Sequence, residues 1–270
     1  MIIVNGAIAD TIPVMDRGLM YGDGVFRTML VRNGRPVLWP RHYAKLAADC
    51  TALDILCPAS SVLEEEMSDL VRQDPDCVLK IVVSRGEGGR GYGAPSSTQP
   101  SRVMVTSPMP EYPASYATDG VRLHVCEIRM CHQPRLAGIK HLNRLENVLA
   151  RMEWSTGDTP EGIMLDADGN VIEGTMSNLF MRKENHLITP DLSQCGVAGL
   201  QRERILAAAP KLGLAVEVKK FTLRDLLDAD EVLVCNSVIG LWPVREIGPR
   251  RWMPGELAPS LRRALEMQGA

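Results

Sequence analysis

The chain has 270 residues, with 30 Lys and Arg against 33 Asp and Glu and 45% hydrophobic residues. That length supports a well-buried core in one large domain or two modest ones. A net charge of −3 argues against a nucleic-acid or anionic-membrane partner, and no run approaches the ~20 apolar residues of a membrane span.

The opening MIIVNGAIAD has no basic flank before a long apolar region, so it does not read as a signal peptide. The seven cysteines (Cys50, Cys57, Cys77, Cys126, Cys131, Cys195 and Cys235) are odd in number, widely spaced and free of any CxxC pair. They read as small core residues of a reducing compartment. The five histidines show no ligand spacing. A soluble cytoplasmic protein without a metal is the expectation.

In chain order, GVFRTMLVRNGRPVLW reads as a strand, an Asn33-Gly34 hairpin turn and a second strand. A helix begins near Pro40 and carries RHYAKLAADCTALDI, and CVLKIVVSRG is a buried strand. The proline-rich SPMPEYPASYATDG marks a boundary, which sets an N-terminal α/β domain at 1–112 and a C-terminal one at 113–270. Beyond it come a strand and then LAGIKHLNRLENVLARMEW, residues 136–154. In that run Leu145, Val148, Leu149 and Met152 fall at i, i+3, i+4 and i+7, which predicts a core-facing helical stripe with Arg144, Glu146, Asn147 and Arg151 turned outward. The hairpin GIMLDADGNVIEG, the strand NLFMR, a helix from about Leu200, the strand AVEVK, a helix capped by Thr222 with Asp225 three on, and the strand EVLVC complete the series.

Two motif matches fail on context. GEGGRG, residues 86–91, satisfies G-x-G-x-x-G, but YGAPSSTQPS follows it and cannot be the helix that a dinucleotide pyrophosphate requires. DADGNV opens like a calcium loop, yet Val171 stands where the sharp-turn glycine is needed and Ser177 where the bidentate glutamate belongs. A hairpin turn accounts for it.

Lys140 sits between an apolar Leu-Ala-Gly-Ile stretch and the predicted stripe. A snorkelling lysine at a helix start is one reading. The other is a semi-buried amine, whose charged form burial disfavours and which can form a Schiff base with an aldehyde cofactor or a carbonyl substrate. Pyridoxal phosphate (PLP) would further need an acid for its pyridine nitrogen and a cradle for its phosphate. Glu173 in NVIEGTMSNLF is a candidate acid, although a solvated turn residue explains it equally. The amides near Val197 and Ala198 lead into the helix of CGVAGLQRERIL, and Ser237 ends the strand EVLVCNS.

With these runs on the page, the chain resembles the fold-type IV PLP-dependent enzymes (aminotransferase class IV-like). The resemblance rests on MDRGLMYGDGVF, VVSRGEGGRGYG, LAGIKHLNRLENVL, VIEGTMSNLF, GVAGLQR and DEVLVCNSVIGLWPV. It implies an α/β protein of two domains with the cofactor between them, and a homodimer. The run around Lys140 and the GGRGY loop resemble the family's 4-amino-4-deoxychorismate lyase branch more than its aminotransferases. They imply conversion of 4-amino-4-deoxychorismate to 4-aminobenzoate and pyruvate, a step toward folate. A branched-chain or D-amino-acid aminotransferase on the same fold is the alternative.

Carried over by position, Lys140 resembles the Schiff-base lysine and Glu173 the acid at the pyridine nitrogen, while Val197, Ala198 and Ser237 match phosphate-binding positions. Where the family has a phosphate-binding arginine this chain has Lys45, with Arg41 one turn earlier. Arg90 in the GGRGY loop is the candidate for a substrate carboxylate. Arg27 stands where many relatives carry glutamate or threonine, and the resemblance gives it no role.

Overall fold

The structure is a computed structural model that describes residues 1–95, 98–155 and 157–267. The chain divides into two compact units: residues 1–110 with 139–143, and residues 111–138 with 144–270. The division falls at Pro110–Glu111, inside the proline-rich run, but the first unit also takes in a short segment from far down the chain.

The first unit contains β1 (Ile2–Val4), β2 (Ala7–Ile8), α1 (Arg17–Tyr21), β3 (Gly24–Arg32), β4 (Arg35–Pro36), α2 (Trp39–Ala52), α3 (Ser60–Gln73), β5 (Cys77–Ser84) and β6 (Ser101–Ser107). Among the described residues the strands form an antiparallel sheet in the order β2-β1-β6-β5-β3-β4. Along β3 the alternation of strand side chains buries Val25, Arg27, Met29 and Val31 on one face. Leu46 and Cys50 of α2 and Leu63, Met67 and Leu70 of α3 complete the core with Leu79, Ile81 and Met104.

Ile139 belongs to that core, 6% exposed. The segment carrying it pairs with β3: Val25 bridges His141, Phe26 N–H donates to the Lys140 carbonyl at 3.0 Å, and Leu142 N–H donates to the Gly24 carbonyl at 2.9 Å. These bonds correct the expected helix at 136–154. Lys140 is extended, because its backbone is engaged by a strand more than a hundred residues away, and the helix starts only at Leu145.

The second unit contains α4 (Ser115–Thr118), β7 (Val121–Met130), α5 (Leu145–Arg151), β8 (Glu161–Asp166), β9 (Val171–Gly174), β10 (Asn178–Lys183), β11 (His186–Pro190), α6 (Leu200–Ala208), β12 (Ala215–Lys219), α7 (Leu223–Leu227), β13 (Glu231–Asn236), β14 (Gly240–Ile247), β15 (Arg250–Arg251) and α8 (Leu257–Glu266). Its sheet runs β12-β11-β10-β13-β14-β7-β8-β9, with β15 on β14. The β11–β12, β14–β7 and β7–β8 pairs are parallel and the rest antiparallel. At α7 the expected capping box is present, Thr222 and Asp225 each closing on the other's backbone. The run from Asp166 is a hairpin turn: the Asp166 carboxylate accepts from the amides of Asp168 and Asn170 and lies 3.0 Å from His132 Nε2.

Helix α5 inverts the expected amphipathicity. Leu145, Val148, Leu149 and Met152 are 68, 52, 46 and 74% exposed. Its inward side carries the small Ala150, buried among Cys126, Met130 and Met164, and two polar groups: Glu146 accepts from the Cys131 amide at 2.9 Å, and Asn147 Nδ2 donates to the Thr175 carbonyl at 3.0 Å.

Because Ile139 fills the first unit's core, Ile139→Ala should lower unfolding stability by about 2–5 kcal/mol, the usual cost of truncating a buried aliphatic side chain. Denaturant titration of the two proteins checks this; an unchanged midpoint would place residue 139 outside the core.

Candidate active site

In the first unit the extended backbone sends successive side chains to opposite sides, so Lys140 leaves the core that Ile139 enters. Its Nζ stands 4.5 Å from the centroid of the Phe26 ring, a cation–π distance. Its main-chain N–H donates to Asp49 Oδ2 at 3.1 Å. Asp49 is paired in turn with the Arg27 guanidinium, which also donates to the Lys45 carbonyl at 3.1 Å.

Arg41, Lys45 and Asp49 recur every four residues along α2, and so share a face of that helix. Buried His42 lies among them. Burial first, then the charges of Arg27, Arg41, Lys140 and Lys45, push its imidazole down to about 4. Four cations thus gather about a neutral histidine, with Asp49 as a buried counter-charge whose carboxyl burial pushes up. Such a cluster suits an anion. Arg90 is exposed on the glycine-rich loop, where no helix follows among the described residues. The loop backbone is fixed by Arg17, which donates to the carbonyls of Gly91, Tyr92 and Gly93.

In the second unit Glu173 is buried on β9, and its Oε2 accepts from the Val197 amide at 2.8 Å. Gly196 makes that turn possible. Its φ is +86°, and a Cβ there would stand 2.8 Å from Ile172 and Leu192 side-chain carbons. Asn178 brackets the same loop, donating from Nδ2 to the Val197 carbonyl at 2.7 Å and accepting the Gly199 amide at 3.1 Å.

Val197 and Ala198, the expected phosphate-binding positions, lie in this turn just before α6. A backbone amide has one proton to donate, and these two go to Glu173 and, at 3.0 Å, to the Gly138 carbonyl. Helix α6 also leaves the amides of Leu200 and Gln201 without acceptors among the described residues, as the first turn of any helix does. Ser237 lies half-buried in the turn from β13 to β14, with no hydrogen bond among the described residues.

Sequence reasoning missed Asp49, Asn178 and Glu161. The Glu161 carboxylate is fully buried and takes five donors: the amides of Gly162, Thr175 and Met176 and the hydroxyls of Thr175 and Ser177. It fixes the turn that follows Glu173, whose Met176 carbonyl also accepts from Asn236 at 3.0 Å. A glutamate opening an apolar strand was the only signal available.

Residues 24–247 match the model of the amino-transferase class IV family, and the chain belongs to that family. It is 41% identical over 246 residues, 90% of each chain, to the aminodeoxychorismate lyase of Vibrio harveyi. The crystal structure of 4-amino-4-deoxychorismate lyase from Pseudomonas aeruginosa superposes with a TM-score of 0.95 at 43% identity, covering 100% of this chain and 99% of that one. A putative branched-chain-amino-acid aminotransferase from Methanocaldococcus jannaschii is 31% identical, over 92% of this chain and 88% of its own.

The histidine predicts a pH effect. Unfolded, His42 binds its proton near the ordinary imidazole value of about 6.5; folded, only near about 4. Between those values the unfolded chain holds more protons, so stability falls as pH drops through the window, by roughly 3 kcal/mol at the limit. His42→Gln should show a shallower loss of unfolding free energy from pH 7 to 4.5 than the wild type. Parallel slopes would mean that His42 protonates normally.

Proposed function

We propose that the chain is a PLP-dependent lyase that converts 4-amino-4-deoxychorismate to 4-aminobenzoate and pyruvate. The observation that carries this reading is the near-complete likeness to the two lyases, at 41% and 43% identity, together with a lysine fixed by its own backbone among cations.

The residues fit the cofactor. Lys140 is a candidate for the amine that joins its aldehyde, and Glu173 for the acid that holds its pyridine nitrogen protonated. For the phosphate, the first unit offers Lys45 with Arg41. The second offers the amides of Val197 and Ala198 and the hydroxyl of Ser237, with the amides of Leu200 and Gln201 next along the chain. When bound, PLP supplies an electrophilic carbonyl for the substrate amine and a ring that takes up the electrons released with a proton. Lys140, once displaced, removes the proton from the amine-bearing carbon and delivers one to the departing enolpyruvyl oxygen. The products together contain the atoms of the substrate, so no water is consumed, and aromatisation drives the step. Arg90 is proposed to hold a substrate carboxylate.

Seven free thiols, five of them buried, support a reducing, cytoplasmic setting. Among the described residues no helix is long and apolar enough to cross a membrane. The exposed stripe of α5 supports a homodimer, since contiguous apolar surface marks association sites.

Purified protein should form fluorescent 4-aminobenzoate from 4-amino-4-deoxychorismate without any keto-acid acceptor. Lys140→Ala should abolish this, and borohydride reduction of the holoenzyme should leave the pyridoxyl group on Lys140. Amine exchange that requires a keto acid, with no 4-aminobenzoate formed, would favour the aminotransferase instead.

For the dimer, Leu145→Asp with Leu149→Asp should shift sedimentation at micromolar concentration from two copies toward one while leaving the secondary structure intact. An unchanged sedimentation coefficient would assign the stripe no role in association.

A further inference from the structure

Arg27 holds a core position of β3, in the buried alternation of Val25, Met29 and Val31. A guanidinium there is tolerated only with a counter-charge and hydrogen bonds. Both come from α2, as the Asp49 carboxylate and the Lys45 carbonyl. The same Asp49 oxygen that meets Arg27 accepts the Lys140 amide. Phe26, the neighbour of Arg27, donates to the Lys140 carbonyl and lies under its Nζ. Both main-chain groups of Lys140 are therefore fixed by adjacent β3 residues, one directly and one through Asp49.

We propose that Asp49, held by Arg27, is a positioning residue for Lys140: it clamps the lysine's main chain so that Nζ keeps one place. The proposal rests on the role given to Lys140 above. A reacting group displaced by about 1 Å can lose on the order of a hundred-fold in rate, so a clamp on its backbone has a measurable consequence. A carboxylate suits the task because one of its oxygens can accept from both the guanidinium and the amide.

Two variants of the full chain separate a clamp from a pair that serves stability alone. Arg27→Met with Asp49→Leu removes both charges together and leaves neither buried alone. Asp49→Asn keeps an acceptor for the Lys140 amide. In the cofactor-free proteins, hydrogen exchange of the peptide spanning residues 139–143 is followed by mass spectrometry. PLP is then added, and the rate of borohydride-trapped labelling of Lys140, kcat and KM are measured.

For the double variant we expect exchange faster by about ten-fold or more, slower labelling, and kcat lower by about ten- to a hundred-fold with KM within about two-fold. Asp49→Asn should restore most of each. Wild-type exchange and kcat in a folded double variant would overturn the proposal. So would an Asp49→Asn variant that folds but loses kcat ten-fold or more. Failure of wild-type Lys140 to take any label would instead refute the role given to that lysine, and the exchange data would still judge the clamp.

Discussion

The backbone hydrogen bonds of residues 138–142 are the constraint on which the candidate site depends. Gly138, at φ +81°, donates to the Gly196 carbonyl and accepts from the Ala198 amide. From Ile139 onward the same strand of chain pairs with β3. A helix needs these groups for its own i to i−4 ladder, so none can form until they have been passed. The outcome is a lysine whose side chain starts from a backbone fixed by long-range pairing, with less freedom than a lysine in a helical first turn, where the amides have no internal partner.

Buried charge is handled differently in each unit. In the first, like charges are brought together, and the histidine among them gives up its proton because burial disfavours its charged form and that form would add a fifth cation. The arrangement favours an anion, and it makes the Arg27–Asp49 pair more than a local repair: an unpaired guanidinium would be a cost in so cationic a neighbourhood. In the second unit, Glu161 is surrounded by donors on both oxygens. It acts as an internal cap for the turn after Glu173, much as an acidic side chain caps a helix N-terminus.

Local signals in the sequence were legible. The Asn33-Gly34 turn, the helix from Trp39, the Glu161–Gly174 hairpin and the Thr222 capping box each depend on residues within a few positions of one another, and each stands where expected. Helix α3 was also legible, in Leu63, Met67, Leu70 and Val71, although it was not read. What could not be read locally were partnerships across the chain. Lys140 and Asp49 are 91 residues apart, so neither spacing nor periodicity announces their bond. The partners of the Val197 and Ala198 amides were hidden for a related reason. The turn before α6 could be seen, but that its first amides are taken by Glu173 and Gly138 depends on strands remote in sequence. Lys140 and Glu173 stand out in the sequence because each is a charge set among apolar neighbours, a contrast that needs no tertiary information.

Periodicity in α5 identified a helix but not which side of it meets the fold. A 3.6-residue repeat states only that one face is apolar; whether that face meets the chain's own core or another surface is decided by what the neighbours offer. Here the neighbours are the Cys131 amide and the Thr175 carbonyl, which meet Glu146 and Asn147, and an apolar cluster with room for the small Ala150. The apolar side is left outward as a consequence. The helix thus has two jobs that use opposite faces. Its inner face supports, through Asn147, the turn after Glu173 that Glu161 also holds, and its outer face presents four large apolar side chains.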